Sequence, residues 1–123
     1  MKLTTVLRNT RANDIIAAAG TNPKLKFYTG AESLTPAGTL LATLNVTGEL
    51  GVATNGVIDL NETVTQNNAT HVSGTPTFVL VTTSADAAVA TYLIGTDATF
   101  TGNIVTGVDI TYTVGATLTE GNA

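Results

Sequence analysis

Hydrophobic and polar positions alternate with a period of two along most of this chain, and glycine, asparagine and proline interrupt the alternation. A period of two puts successive side chains on opposite faces of a strand. From Lys24 to Tyr28, Leu25 and Phe27 fall on one side and Lys24, Lys26 and Tyr28 on the other. That is a half-buried strand, and its lysines suit an edge position, where charge discourages foreign pairing. Leu40 to Thr47 alternates in the same way. Val52 to Leu60 carries Asn55-Gly56, a short-range hairpin signal. Thr77–Val81 and Ala87–Ile94 flank the short polar break Ser84-Ala85-Asp86 and read as a second hairpin at the centre of the fold. Leu80 and Leu93 are its expected core positions. Phe100–Val105 and Val108–Val114 supply the last expected strands, the latter with Val108, Ile110, Tyr112 and Val114 on one face.

One segment breaks this pattern towards a helix, residues 4–19. Thr4 or Thr5 suits the cap, the Ala17-Ala18-Ala19 run favours helix, and Gly20 sits where a terminating glycine would. Asn22-Pro23 blocks continuation. At 100° per residue Ala12, Ile15, Ile16 and Ala19 share a face, while Leu3 and Leu7 point elsewhere. Two apolar faces predict a helix wedged between neighbours or packed on another chain. The pattern therefore predicts a mainly β protein, an antiparallel β-sandwich or jelly-roll-like fold with one N-terminal helix. A single domain spans 1–123, with a helical segment at 1–22, strands at 23–116 and a tail at 117–123. The polar stretch Asn61 to Pro76 is long for a structureless loop. If irregular, it is the natural contact loop.

Composition sharpens this picture. Thr makes up about a fifth of the 123 residues, and charged residues only 11%, less than half of the usual ~25%. Uncharged polar outer faces follow. The absence of cysteine removes disulfides, thiolate metal sites and cysteine nucleophiles. Charge is segregated: Lys2, Arg8, Arg11, Lys24 and Lys26 face only Asp14 in the first 26 positions, whereas the remainder holds eight acids and no cation. A basic N-terminal surface is thus expected to meet an acidic partner. Five scattered cations on a net −4 chain lack the footprint of a nucleic-acid binder. No apolar run approaches a membrane span or a signal-peptide core, so a soluble protein without a membrane partner is expected.

Candidate chemistry is sparse. His71 is the single histidine; with Ser73 and Glu62 nearby it has the residue types of a hydrolase, but that role needs a nucleophile and an orienting carboxylate in space. Asp59 with Glu62, or Asp97 with Asp109, could form a carboxylate pair; with no Trp a sugar groove lacks its platforms. Asp59-Leu60-Asn61-Glu62 has oxygen ligands but no EF-hand pattern, and Gly102–Gly107 lacks the lysine of a phosphate loop. Three Asn-X-Thr matches are those expected by chance in so Thr-rich a chain. An isopeptide from Lys24 or Lys26 would need an Asn and a Glu beside it. No enzyme, no metal and no cofactor is expected.

Three groups of residues carry a family resemblance: Val6-Leu7-Arg8-Asn9 to Gly20 leading into Leu25-Lys26-Phe27-Tyr28-Thr29-Gly30; Gly38-Thr39-Leu40-Leu41-Ala42-Thr43-Leu44 with Gly51-Val52-Ala53 and Gly56-Val57; and Ile94-Gly95-Thr96, Phe100, Ile104 and Gly107-Val108-Asp109-Ile110-Thr111. Together they resemble the small virion structural proteins of tailed bacteriophages and prophages. Asn61 to Ser73 departs from that pattern. The resemblance implies a virion protein assembled in the host cytoplasm, and a capsid decoration (cement) protein bridging capsomers is the first expectation. Its partners would be the major capsid protein and neighbouring copies, a trimer being favoured, with Arg8, Arg11, Lys24 and Lys26 as the docking face. The alternative is a tail- or fibre-associated module contacting a host glycan or protein.

Overall fold

The computed structural model describes residues 2–100, 103–110 and 117–119. The helix, α1, spans Thr5–Ala19. Thr4 caps it by accepting the Leu7 N–H at 3.2 Å, and Gly20, with φ 71°, ends it by donating to the Ile16 carbonyl. Among the described residues eight strands follow: β1 Lys24–Tyr28, β2 Leu40–Val46, β3 Gly51–Thr54, β4 Val57–Leu60, β5 Val64–Thr65, β6 Phe78–Thr82, β7 Ala88–Leu93 and β8 Thr117–Thr119. They form two antiparallel sheets, β5-β2-β1-β6-β7 and β3-β4-β8.

Register explains which side chains meet. Leu25 pairs with Leu44 and Val81, and Phe27 with Ala42 and Val79. Directly opposed residues share a face, so these six line the inner face of the larger sheet. Ile58, Leu60 and Leu118 come from the smaller sheet, Leu50 from the turn before it, and Ala12, Ile16 and Ala19 from α1, all in one buried cluster. Burial of each large apolar side chain contributes ~1.5–3 kcal/mol. The Phe27 ring meets Phe100 edge-on at 5.0 Å, tying the sheet to the segment after β7. The helix face expected from the 100° period is the face in the core. It packs against β3, β4 and β7, at one edge strand of each sheet.

Three expectations are corrected. β1 is not an edge strand; it lies between β2 and β6. Alternation reports a half-buried face and not the strand's place in the sheet, and here the two lysines share one carboxylate within the chain. Residues 117–119 are not tail but β8, with Leu118 fully buried beside Ile58; a short Thr-Leu-Thr run gains its strand conformation from β4 on one side and residues 97–99 on the other. Leu93 is 38% exposed, whereas Leu80 is 4% exposed. The two are on the same outer face, but β6 is interior and β7 is at the edge. The expected strand at Val108–Val114 is irregular over 108–110 and otherwise falls outside the described residues, as do 101–102 of Phe100–Val105.

β6 is buried on both faces. Val79 and Val81 enter the core, while Phe78 stacks under Tyr28 at 5.6 Å and 12°. Leu80 and Thr82 lie opposite Lys26 and Lys24, whose aliphatic stems cover them.

Candidate functional site

The four cations expected to form one docking face are divided between two places. Lys24 and Lys26 stand on the outer face of the larger sheet, opposite Leu25 and Phe27 in the pleat. Both ammonium groups lie 2.9 Å from one Asp86 oxygen. Asp86 occupies the connection between β6 and β7 with φ 68°, a left-handed conformation that Asp tolerates better than most residues. Its amide donates to the Thr83 carbonyl, and Ala87 donates to the Thr83 hydroxyl. This fold of the turn carries the carboxylate back over β1. The hydrogen bond from Lys24, then that from Lys26, lowers the Asp86 pKa from 3.8 to about 2.

Arg8 and Arg11 ride on α1 but face different ways. Arg8 lies towards the packed side, where a Cβ on Gly56 would come within 2.9 Å of its own Cβ. Its Nε is buried without a hydrogen-bond partner. The neighbouring Asn9 accepts the Gly56 N–H at 3.2 Å. The β3–β4 turn that receives them has φ 53° at Asn55 and 81° at Gly56, the pair of positive values a two-residue hairpin turn requires. Arg8 is therefore a packing residue of the helix–hairpin joint, and Arg11 is exposed. Away from the core, Val6 is 78% exposed and Leu7 45% exposed, and Leu7 lies one turn before Arg11. Of the second apolar face expected from Leu3 and Leu7, Leu7 is open on α1, whereas Leu3 precedes the helix and is half-buried.

The polar stretch 61–76 is occupied along its length. β5 pairs with β2, and Asn68–Thr70 forms a 3-10 turn. From Gln66 onward the segment is laced to residues 103–110. The Gln66 amide donates to the Ile110 carbonyl and accepts the Ile110 N–H, both at 2.9 Å. Asn68 donates to Asp109 at 2.8 Å, and its carbonyl accepts from Gly107. Ser73 accepts the Thr106 N–H at 3.1 Å, Gly74 and Ile104 exchange backbone bonds, and Thr75 donates to Asn103. Side-chain amides and hydroxyls here replace much of a strand ladder. None of Gln66, Asn68 or Thr106 was singled out by sequence; each is an ordinary polar residue until the partner segment is beside it.

His71 sits inside this lacing, 2% exposed. Its Nδ1 is 3.2 Å from the Val108 carbonyl, an acceptor, so Nδ1 carries the proton. Nε2 is buried and has no partner. The His71 carbonyl accepts the Thr106 hydroxyl at 2.6 Å. Ser73 binds Thr106 and not the imidazole, so His71 is not joined to a nucleophile. The acids are likewise spread out: Asp59 and Glu62 are exposed, Asp109 holds Asn68, and Asp97 anchors the turn after β7 by accepting the Leu93 N–H at 3.4 Å. Among the described residues, no three His, Asp or Glu side chains are grouped to hold a metal ion. Among the described residues, no helix is long and apolar enough to cross a membrane.

No family model matches the chain, and comparisons with curated proteins and with solved structures return no match.

Proposed function

We propose that this protein is a structural component of a phage virion, a decoration protein that stabilises the head by bridging capsomers. In this reading it docks through the outer face of α1. One observation carries it: a helix whose inner face is fixed in the core leaves Val6 and Leu7 exposed. Exposed apolar side chains on a helix that is fixed in place fit an apolar patch on another subunit. The partners are the major capsid protein and neighbouring copies, as trimers, in the virion. The protein does no chemistry in this role; its contribution is contact area. A tail-associated role resting on the 61–76 loop ranks below, because Gln66, Asn68 and Ser73 already bond within the chain.

The test is occupancy on purified heads stripped of the protein, measured by co-sedimentation. Val6→Asp combined with Leu7→Asp is expected to reduce occupancy by at least about tenfold, the effect of losing ~1.4 kcal/mol or more at an interface anchor. Circular dichroism should stay unchanged, because both side chains are exposed. Full occupancy by the folded double variant overturns the docking assignment.

A further inference from the structure

Asn55-Gly56 is the one Asn-Gly pair in the sequence, and the docking role above leaves it unused. An asparagine before glycine is open to attack on its own side chain, since glycine offers no Cβ to shield its backbone nitrogen. In this fold that nitrogen is held. The Gly56 N–H donates to Asn9 Oδ1 at 3.2 Å, and Gly56 is buried against the Cβ of Arg8. Asn55 itself is exposed, so water reaches its side chain.

We propose that Asn55 is a latent deamidation site that the docked helix α1 keeps closed. When α1 lifts from the hairpin, hydroxide removes the freed Gly56 amide proton and the nitrogen attacks Asn55 Cγ. The N–Cγ bond forms, the bond from Cγ to the side-chain nitrogen breaks, and that nitrogen leaves with a proton from water as ammonia. Water then opens the succinimide at either carbonyl, giving aspartate or isoaspartate. Nothing is oxidised or reduced, and water is the only co-reactant. Isoaspartate lengthens the backbone by one methylene inside a two-residue turn whose φ values are already set at 53° and 81°. It also adds an acid beside the helix. The altered turn no longer seats Arg8 and Asn9, so each conversion favours further undocking and the joint opens irreversibly. This inference concerns the inner side of α1 and stands whether or not the outer side binds a capsid.

The experiment incubates the folded full-length chain at mildly alkaline pH and follows Asn55 by peptide mapping, with denatured chain setting the open rate. Wild type is expected to convert more slowly than denatured chain. Asn9→Ala removes the acceptor and is expected to convert roughly 2- to 10-fold faster than wild type, the population shift that one net hydrogen bond carries. Asn9→Asp keeps an acceptor oxygen and is expected to stay near the wild-type rate. Amide exchange at Gly56 in wild type gives a second readout that needs no variant, and protection is expected. Wild type converting as fast as denatured chain, Asn9→Ala matching wild type, Asn9→Asp matching Asn9→Ala, or an unprotected Gly56 amide would each overturn the proposal.

Discussion

Gln66 gives the sharpest test of how the polar segment is held. Its side-chain amide makes both a donor and an acceptor bond to the backbone of Ile110, each 2.9 Å, as a neighbouring strand residue would. Gln66→Ala removes both. Each partly buried bond contributes a net ~0.5–1.5 kcal/mol, so the expected loss is about 1–3 kcal/mol. For a chain of this size that is a fall in Tm of roughly 4–12 °C. Gln66→Glu is more diagnostic. The carboxylate still accepts the Ile110 N–H but turns its second oxygen on the Ile110 carbonyl, where a donor is needed. Protonation restores that donor, so the folded state raises the affinity of this group for its proton. A raised folded value means the bond is present at low pH and lost as pH climbs. The deficit of Gln66→Glu relative to wild type, measured by urea unfolding at each pH, should be small below about pH 4 and grow above it. A deficit independent of pH, or a Gln66→Ala cost under about 0.5 kcal/mol, would show that the two-bond clamp does not hold the segment.

Asp86 titrates in the opposite sense. Its pKa falls from 3.8 to about 2 through the two lysines, so its contribution is complete above pH 3.8 and is lost as pH drops towards 2. Asp86→Asn should remove that part of the acid sensitivity between those values; an identical acid-unfolding profile would refute the link. The two faces of the larger sheet separate leucines that look alike in sequence. Leu93→Asp should leave the domain folded at a cost of about 1 kcal/mol or less, as for a surface change. Leu25→Asp, at a fully buried position, should unfold it, because burying an unpaired carboxylate costs several kcal/mol. Circular dichroism and urea melts decide both, and a folded Leu25→Asp would mean that the core is misplaced.

Local pattern was enough for whatever depends on near neighbours. Thr4, the alanine run and Gly20 set the ends of α1, because caps and propensity act within a turn or two. Asn55-Gly56 set the first hairpin, because its positive φ values belong to those two residues. The alternation from Lys24 to Tyr28 correctly sorted Leu25 and Phe27 from the lysines, because the pleat does so within a single strand. The candidate site was far less legible. Lys24 and Lys26 looked like free edge charges, and only the pairing of β1 with β6 brings Asp86, some sixty residues later, onto them. Arg8 and Arg11 looked like one patch, until the packing of α1 on the β3–β4 turn put one inside the joint and the other outside. Residues 117–119 read as tail because three residues carry no periodicity, and their strand exists only through β4 and residues 97–99, both distant in sequence. The 61–76 segment read as an open contact loop because its bonds run to residues 103–110, and hydrogen bonds between distant segments leave no mark on the order of residues in either. By itself, then, the chain determined its sheet-forming character, its one helix and its tight turn. Which polar groups remain free to meet a partner was decided only by tertiary structure, since a charge or an amide is available only after every nearer partner in space has been counted.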